Sequence, residues 1–302
     1  VLAELLADLE SGPPAGRAPA TAGSAALDGA RDLLEAAAAE ATAIGGWTES
    51  EPLRLSKGAV NWLVKCPRRA VAPPVEGGTT DDLVLGAIID AAAKLAALGA
   101  RRPITVDTAL GFLDAFDDTA AADHLAAIDP GDAAKLVAEA TARASRLVDA
   151  WPAVDAAWWP RVEEPARVRL AGGAVTVTGR LDVLLGGPPS SRPGVVVEIK
   201  AGRWYDGMRA DAHLYALLVG LRDGEAPSHV VTLVADGTTQ VEPIRATLVG
   251  HAAERIEMAL RIAAGLAAGE VAEARPGSHC GHCPVRGDCP VGQAWVPPER
   301  TA

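Results

Sequence analysis

The chain contains four cysteines, and their spacing constrains its fold more than any other feature. Cys66 stands alone, and more than two hundred residues later Cys280, Cys283 and Cys289 form a C-x2-C-x5-C cluster. A disulfide inside that short cluster would be strained, whereas three thiolates and a distant fourth can surround one ion or cluster. Read as ligands, the four draw together regions far apart in the chain, and closing so long a loop stabilises the bonded state. Four thiolates suit tetrahedral zinc as well as an iron–sulfur cluster. Zinc sites usually pair two C-x2-C knuckles, so the lone ligand in Lys65-Cys66-Pro67-Arg68 favours [4Fe-4S], in a structural role.

The 302 residues are 49% hydrophobic and rich in alanine, enough for one large core or two modest ones with many helices. The residues before about Gly45 show no basic n-region, and no stretch approaches the roughly 18 apolar residues of a bilayer span. A cytoplasmic location is therefore expected, and thiolate clusters suit such a reducing compartment. The net charge of −11 argues against coating nucleic acid through bulk electrostatics. It leaves room for local basic groups: Lys57, Lys65, Arg68 and Arg69 surround the first cysteine, and Arg180, Lys200, Arg203 and Arg209 an acidic motif.

Four regions follow from the pattern. Residues 1–50 read as a helical, partly mobile segment broken by the Gly/Pro stretch Ser11 to Pro19, and residues 51–160 as a helical region carrying the first cysteine. Ser56 is expected to cap a helix that ends at Cys66 with Pro67 stopping it. After a loop from Pro73 to Thr80, further helices are expected at Asp81 to Leu98, Val106 to Phe116 and Asp132 to Trp151. Residues 161–270 change period, with strands at Arg167 to Leu170, Ala174 to Leu185, Gly194 to Lys200, His229 to Ala235 and Gln240 to Arg245. Helices at Gly207 to Leu221 and Leu248 to Ala268 interleave with them, predicting a mixed sheet with helices against it. Residues 271–302 hold the cysteine cluster and tail.

The most chemically loaded stretch joins Gly179-Arg180-Leu181-Asp182 to Val195-Val196-Val197-Glu198-Ile199-Lys200. Glu198 and Lys200 are two apart on one strand and so share a face, with Asp182 on the preceding strand. Two carboxylates and an ammonium at the edge of apolar strands can hold a divalent ion and act on its water, which is chemistry for phosphodiester hydrolysis. Such triples also arise as plain surface ion pairs. Here Gly202 follows closely, offering a backbone turn away from a ligand, and Asp211 and Tyr215 fall one helical turn apart soon after.

On these residues the chain resembles the RecB-like branch of the PD-(D/E)XK nuclease superfamily, specifically its iron–sulfur members: CRISPR-adaptation exonucleases and the nuclease domains of helicase–nuclease complexes. The resemblance runs from about Ser56 to Pro290. It implies a restriction-endonuclease-like α/β fold and a [4Fe-4S] cluster on Cys66, Cys280, Cys283 and Cys289. It further implies Asp182 and Glu198 as ligands of Mg2+ or Mn2+, Lys200 as the catalytic lysine, and Tyr215 in a helix that positions DNA. Asp90 of Gly86-Ala87-Ile88-Ile89-Asp90 stands where the family carries a histidine ligand, and Asp211 where it carries glutamine. His213 could compensate for Asp211, and Glu163 or Glu164 could add an acid, although a solvated loop is the expected place for those glutamates.

The expected activity is therefore that of a metal-dependent DNA nuclease acting on single strands or duplex ends. Asp90, Asp182, Glu198 and the Ile199 carbonyl would hold the metal while Lys200 positions the water, with Arg203, Trp204, Asp211 and Tyr215 toward the substrate and a helicase or other DNA-processing protein as partner. Trp158-Trp159 and Trp204 could stack on bases, Trp204 being the strongest candidate. Two rivals remain: a binding or scaffolding module of the same fold that has lost catalysis, and a zinc-stabilised regulatory protein that contacts another protein.

Overall fold

The structure is a computed structural model and describes residues 1–11, 23–73, 78–100, 103–205 and 207–296. Most of the expected Gly/Pro break at Ser11 to Pro19 and part of the loop from Pro73 to Thr80 lie outside those residues. The first elements are α1 (Leu2–Ser11), α2 (Ser24–Gly45), β1 (Leu53–Ser56), α3 (Lys57–Lys65) and α4 (Pro67–Ala70). Next come α5 (Asp81–Ala97), α6 (Val106–Asp114), α7 (Ala120–Ala127), α8 (Pro130–Ala150), β2 (Arg161–Leu170), β3 (Val175–Leu185) and β4 (Val195–Lys200). The last are α9 (Gly207–Asp223), β5 (His229–Val234), β6 (Thr239–Pro243), α10 (Ala246–Ala267) and α11 (Pro290–Ala294). No helix among the described residues is long and apolar enough to cross a membrane.

The predicted helices and strands recur with shifted ends, and the differences have physical causes. β2 begins at Arg161 rather than Arg167, because the charged stretch that reads as a loop is held in pairs. Glu164 meets both Arg161 (3.6 Å) and Arg222 (2.9 Å), and Arg222 also bonds Asp223 at 2.6 Å. Pro67 ends α3 but also opens α4, since at the first helical position its missing N–H is no loss. β1, four residues with one buried side chain, is too short to show alternation in sequence. Gly202 has open space around it and no positive φ, so no close approach requires glycine there.

The chain forms two compact units. One comprises Val1–Leu27, Gly78–Ala166 and Arg180–Val249. Within it, β3 runs antiparallel to β4 (Val183 opposite Val197), β4 parallel to β5 (Val195 opposite His229), and β5 antiparallel to β6 (Val231 opposite Val241). This is the expected mixed sheet. Val183, Val197, Val231 and Leu233 share a buried cluster with Val84, Ile88 and Ile89 of α5 and Leu136 and Leu147 of α8. The alternating residues Val230 and Thr232 turn the other way, toward Ala212 and His213 of α9. Helices thus cover both faces, as near-continuous apolar strands such as Val195-Val196-Val197 require.

The other unit comprises Asp28–Gly77, Arg167–Gly179 and Gly250–Ala302. Here β1 pairs in parallel with the start of β3, Leu53 opposite Val175 through Ser56 opposite Thr178. The Ser56 hydroxyl accepts the Ala59 N–H at 3.1 Å, so this residue caps α3 as its type predicts. The C-terminal coil is tied to α3 and α4 by main-chain acceptors. The Arg68 N–H donates to the Glu273 carbonyl (2.9 Å), the Arg275 guanidinium to the Val64 carbonyl (2.7 Å), and the Arg68 guanidinium to the Asp288 carbonyl.

One glycine between β3 and β4 is sterically required. Gly186 has φ +62°, and a Cβ there would lie 2.3 Å from the Pro193 carbonyl oxygen. Gly186→Ala adds that clash to an unfavourable φ, so it should destabilise the protein by more than ~1 kcal/mol in urea unfolding; unchanged stability would show that the turn tolerates a side chain.

Candidate active site

The backbone ladder between β3 and β4 includes the pair Val183 and Val197. One residue before Val183 and two after Val197, a side chain takes the place of a carbonyl: the Ile199 N–H donates to Asp182 Oδ2 at 2.7 Å. The strands part here and present their acids at the opening. Glu198 is 1% exposed and Asp182 20%. Lys200, two residues on from Glu198 and on the same face, pairs with it and stands 3.9 Å from Asp211 on α9.

A third carboxylate arrives from α5. Thr80 caps that helix, its hydroxyl accepting the Leu83 N–H at 3.4 Å, and Asp81 and Asp82 in the first turn suit its positive end. Asp90 and Lys94 lie one turn apart on it and are paired, acid before base as helix electrostatics prefer. Lys94, which sequence reasoning missed, is 3% exposed. Its ammonium also pairs with Glu163 of β2 and lies 3.7 Å from Asp182.

Glu163 is not the solvated loop residue expected. It sits inside β2, 14% exposed, and binds Arg180 at 2.5 Å besides Lys94. Its backbone is left-handed, φ +53°, a conformation that costs a non-glycine residue on the order of 1–3 kcal/mol and persists where surrounding contacts hold it. The ion pairs from Lys94 and Arg180 are such contacts. Sequence offers no direct signal of this placement. A lysine inside an apolar helical run was the one available hint that an acid must meet it.

The electrostatics follow from crowding. Burial pushes the Asp90 carboxyl above the ordinary carboxylate range; Lys94 opposes this, and Glu163 and Glu198 add to it. Burial likewise raises Asp182, with the charge of Asp90 reinforcing it and Lys94, the Ile199 N–H and Lys200 opposing. Burial draws Lys94 down, but Asp90 and Asp182 outweigh it and hold the ammonium above its usual value. Four carboxylates therefore crowd around Lys94, Lys200 and Arg180, an arrangement that favours further positive charge. As hard oxygen donors, Asp90, Glu163, Asp182 and Glu198 are the chemistry that suits Mg2+ or Mn2+. Among the described residues no three or more His, Cys, Asp or Glu side chains are set as a ready-made metal cage, and Lys94 stands among the acids instead.

The remaining candidates scatter. Tyr215 is in the core at 4% exposure, Arg203 is exposed, and Trp204 is half-buried with its N–H on Asp236 (3.2 Å). His213 bonds Glu242 at 2.8 Å. Trp158 is buried, its indole N–H donating to Glu10 at 2.8 Å, while Trp159 is exposed.

In the other unit, Cys66, Cys280, Cys283 and Cys289 are free thiols lining one small cavity. Each lies in or at the end of a short helical segment: Cys66 between α3 and α4, Cys280 and Cys283 in and after the turn Ser278–His282, and Cys289 at the start of α11. Arg68, Arg69, Arg275 and Arg286 line the same cavity, cations that suit thiolates. The cavity brings four sulfur donors together, but among the described residues no three of them are set as a ready-made metal or cluster site.

The family model of the PD-(D/E)XK nuclease superfamily matches residues 54–290, most of the chain. The chain belongs to this superfamily. A PD-(D/E)XK nuclease is built for phosphodiester hydrolysis, and the match spans both the acidic opening and the four cysteines. Among solved structures, the crystal structure of SSO0001 is similar over 86% of this chain and 95% of that one, at 13% identity and a TM-score of 0.36. No curated protein matches.

Asp182 has a structural task that its substitutions can isolate. Asp182→Asn keeps an acceptor for the Ile199 N–H, whereas Asp182→Ala leaves that donor unpaired. The alanine variant should be less stable than the asparagine variant by about 1–3 kcal/mol in urea unfolding. Equal stabilities would mean that the hydrogen bond does not hold the opening.

Proposed function

We propose that this PD-(D/E)XK protein is a divalent-metal-dependent deoxyribonuclease that processes single strands or duplex ends. The reading rests on one observation: Asp182, Glu198 and Lys200 meet where β3 and β4 part, with Asp90 brought beside them by α5. Asp90, Asp182 and Glu198, with the Ile199 carbonyl, are the proposed ligands of Mg2+ or Mn2+. A bound divalent ion supplies Lewis acidity and makes its water more acidic. Lys200, held by Glu198, presents an ammonium to the attacking water or to a phosphate oxygen. Lys94 and Arg180 offset the excess carboxylate charge, and exposed Arg203 and partly open Trp204 are the groups nearest in sequence that can meet a nucleic-acid strand.

Cys66, Cys280, Cys283 and Cys289 are proposed to hold a [4Fe-4S] cluster that fastens the C-terminal coil to α3 and α4. Their shared cavity and its arginines support this. Bound there, the cluster supplies a structural cross-link and no chemistry to the hydrolysis. With a net charge of −11, the chain is proposed to rely on a helicase or other DNA-processing partner for much of its DNA affinity, in the cytoplasm.

A second reading, a binding module without catalysis, is favoured by one observation, the carboxylate of Asp211 standing 3.9 Å from the Lys200 ammonium. Labelled single-stranded DNA incubated with Mn2+ separates the two. Nuclease action predicts products from the wild type and their loss by at least about a hundredfold in Lys200→Ala, with circular dichroism unchanged. Full activity in that variant would refute the site, and binding without products from the wild type would select the second reading.

For the cysteines, anaerobic preparation should give a brown protein containing iron and sulfide, and Cys283→Ser should lose the colour. A colourless protein with stoichiometric zinc would overturn the cluster.

A further inference from the structure

Lys94 is buried at 3% exposure at the centre of acids from three separate elements: Asp90 one helical turn before it on α5, Glu163 of β2 and Asp182 of β3. A lysine side chain is almost never fully buried unless paired, and a solvated i,i+4 pair would leave it at the surface. Its helix is fixed on both sides of it, with Ala91, Ala92, Ala93, Ala96 and Ala97 in the core. The ammonium therefore cannot swing out to water without unpacking α5, nor reach a substrate. Lys200, at 22% exposure against 3% for Lys94, lies on the more open side.

We propose that Lys94 is a tethered counter-cation: a positioning residue that holds Asp90, Glu163 and Asp182 together without metal and sets how strongly the site attracts a divalent ion. The inference rests on the metal-site reading above and adds a residue to it. Lys94 remains in place when the ion binds. Its charge is then a standing tax on divalent affinity, accepted because three acids without it would repel one another and loosen α5, β2 and β3. Glu163 is the matching element. Its strained backbone directs one carboxylate to Lys94 and Arg180, so that Glu163 and Asp90 balance Lys94 at closer range than Asp182 does.

The test measures Mn2+ binding by calorimetry and thermal melting on the whole chain, in the wild type, Lys94→Met, Glu163→Gln and the double variant. Lys94→Met should melt below the wild type without metal, recover on saturation with Mn2+, and bind Mn2+ about tenfold or more tightly, since one repelling charge is gone. The double variant loses an ammonium and a carboxylate together, so its metal-free melting should return toward that of the wild type. Should Lys94→Met not fold without metal, that recovery in the double variant decides: its presence supports the counter-cation and its absence overturns it. Mn2+ affinity in Lys94→Met equal to or below the wild type, or melting that Mn2+ does not recover, would overturn the role of Lys94 alone. Wild-type Mn2+ binding that is absent, or that survives Asp182→Asn with Glu198→Gln, would overturn the metal site and this inference with it.

Discussion

The hydrogen bond from the Ile199 N–H to Asp182 is the interaction on which the site's geometry depends. It closes the gap left where β3 and β4 part, and so fixes one carboxylate against the strand that carries Glu198 and Lys200. Without it the strands would either continue their ladder, drawing the acids into ordinary cross-strand contact, or open to water. Gly186, whose backbone alone fits beside Pro193, sets the start of the connection between the two strands.

Charge crowding is the second constraint. Asp90, Glu163, Asp182 and Glu198 crowd together, and burial works against the ionised forms of Asp90 and Asp182. The chain answers with Lys94 beneath, Lys200 at the more open side and Arg180 outside, each paired with at least one acid. Such a network is conditionally stable: removing a single partner leaves an uncompensated buried charge, which is worse than having no charges at all.

Much of this was legible in sequence, and what was not has definite causes. Val195 to Lys200 reads as a buried strand ending in charge, and the acid and lysine two apart could only share a face. Cys66 at the end of a serine-capped helix was equally readable, because the cap and the proline are local signals. Glu163 was not: its position depends on a left-handed backbone inside a charged stretch, and neither conformation nor partner is encoded nearby. Lys94 was hidden for the related reason that its other acids lie 69 and 88 residues away in the chain. Asp211, which stands where the resemblance carries glutamine, lies 3.9 Å from the Lys200 ammonium, a proximity that only the packing of α9 on β4 reveals.

Superfamily membership gives the reaction class, and the acidic opening is the place proposed for it in the chain. The proposal rests on one physical claim, that the carboxylates of Asp90, Asp182 and Glu198 gather to receive a divalent cation. A crystal structure of the protein soaked in Mn2+, read by anomalous scattering, tests it most directly. The account predicts a manganese peak bonded to Asp182 and Glu198 with Lys94 still among its acids. Saturating Mn2+ with no peak at the opening, or a peak elsewhere only, would contradict it.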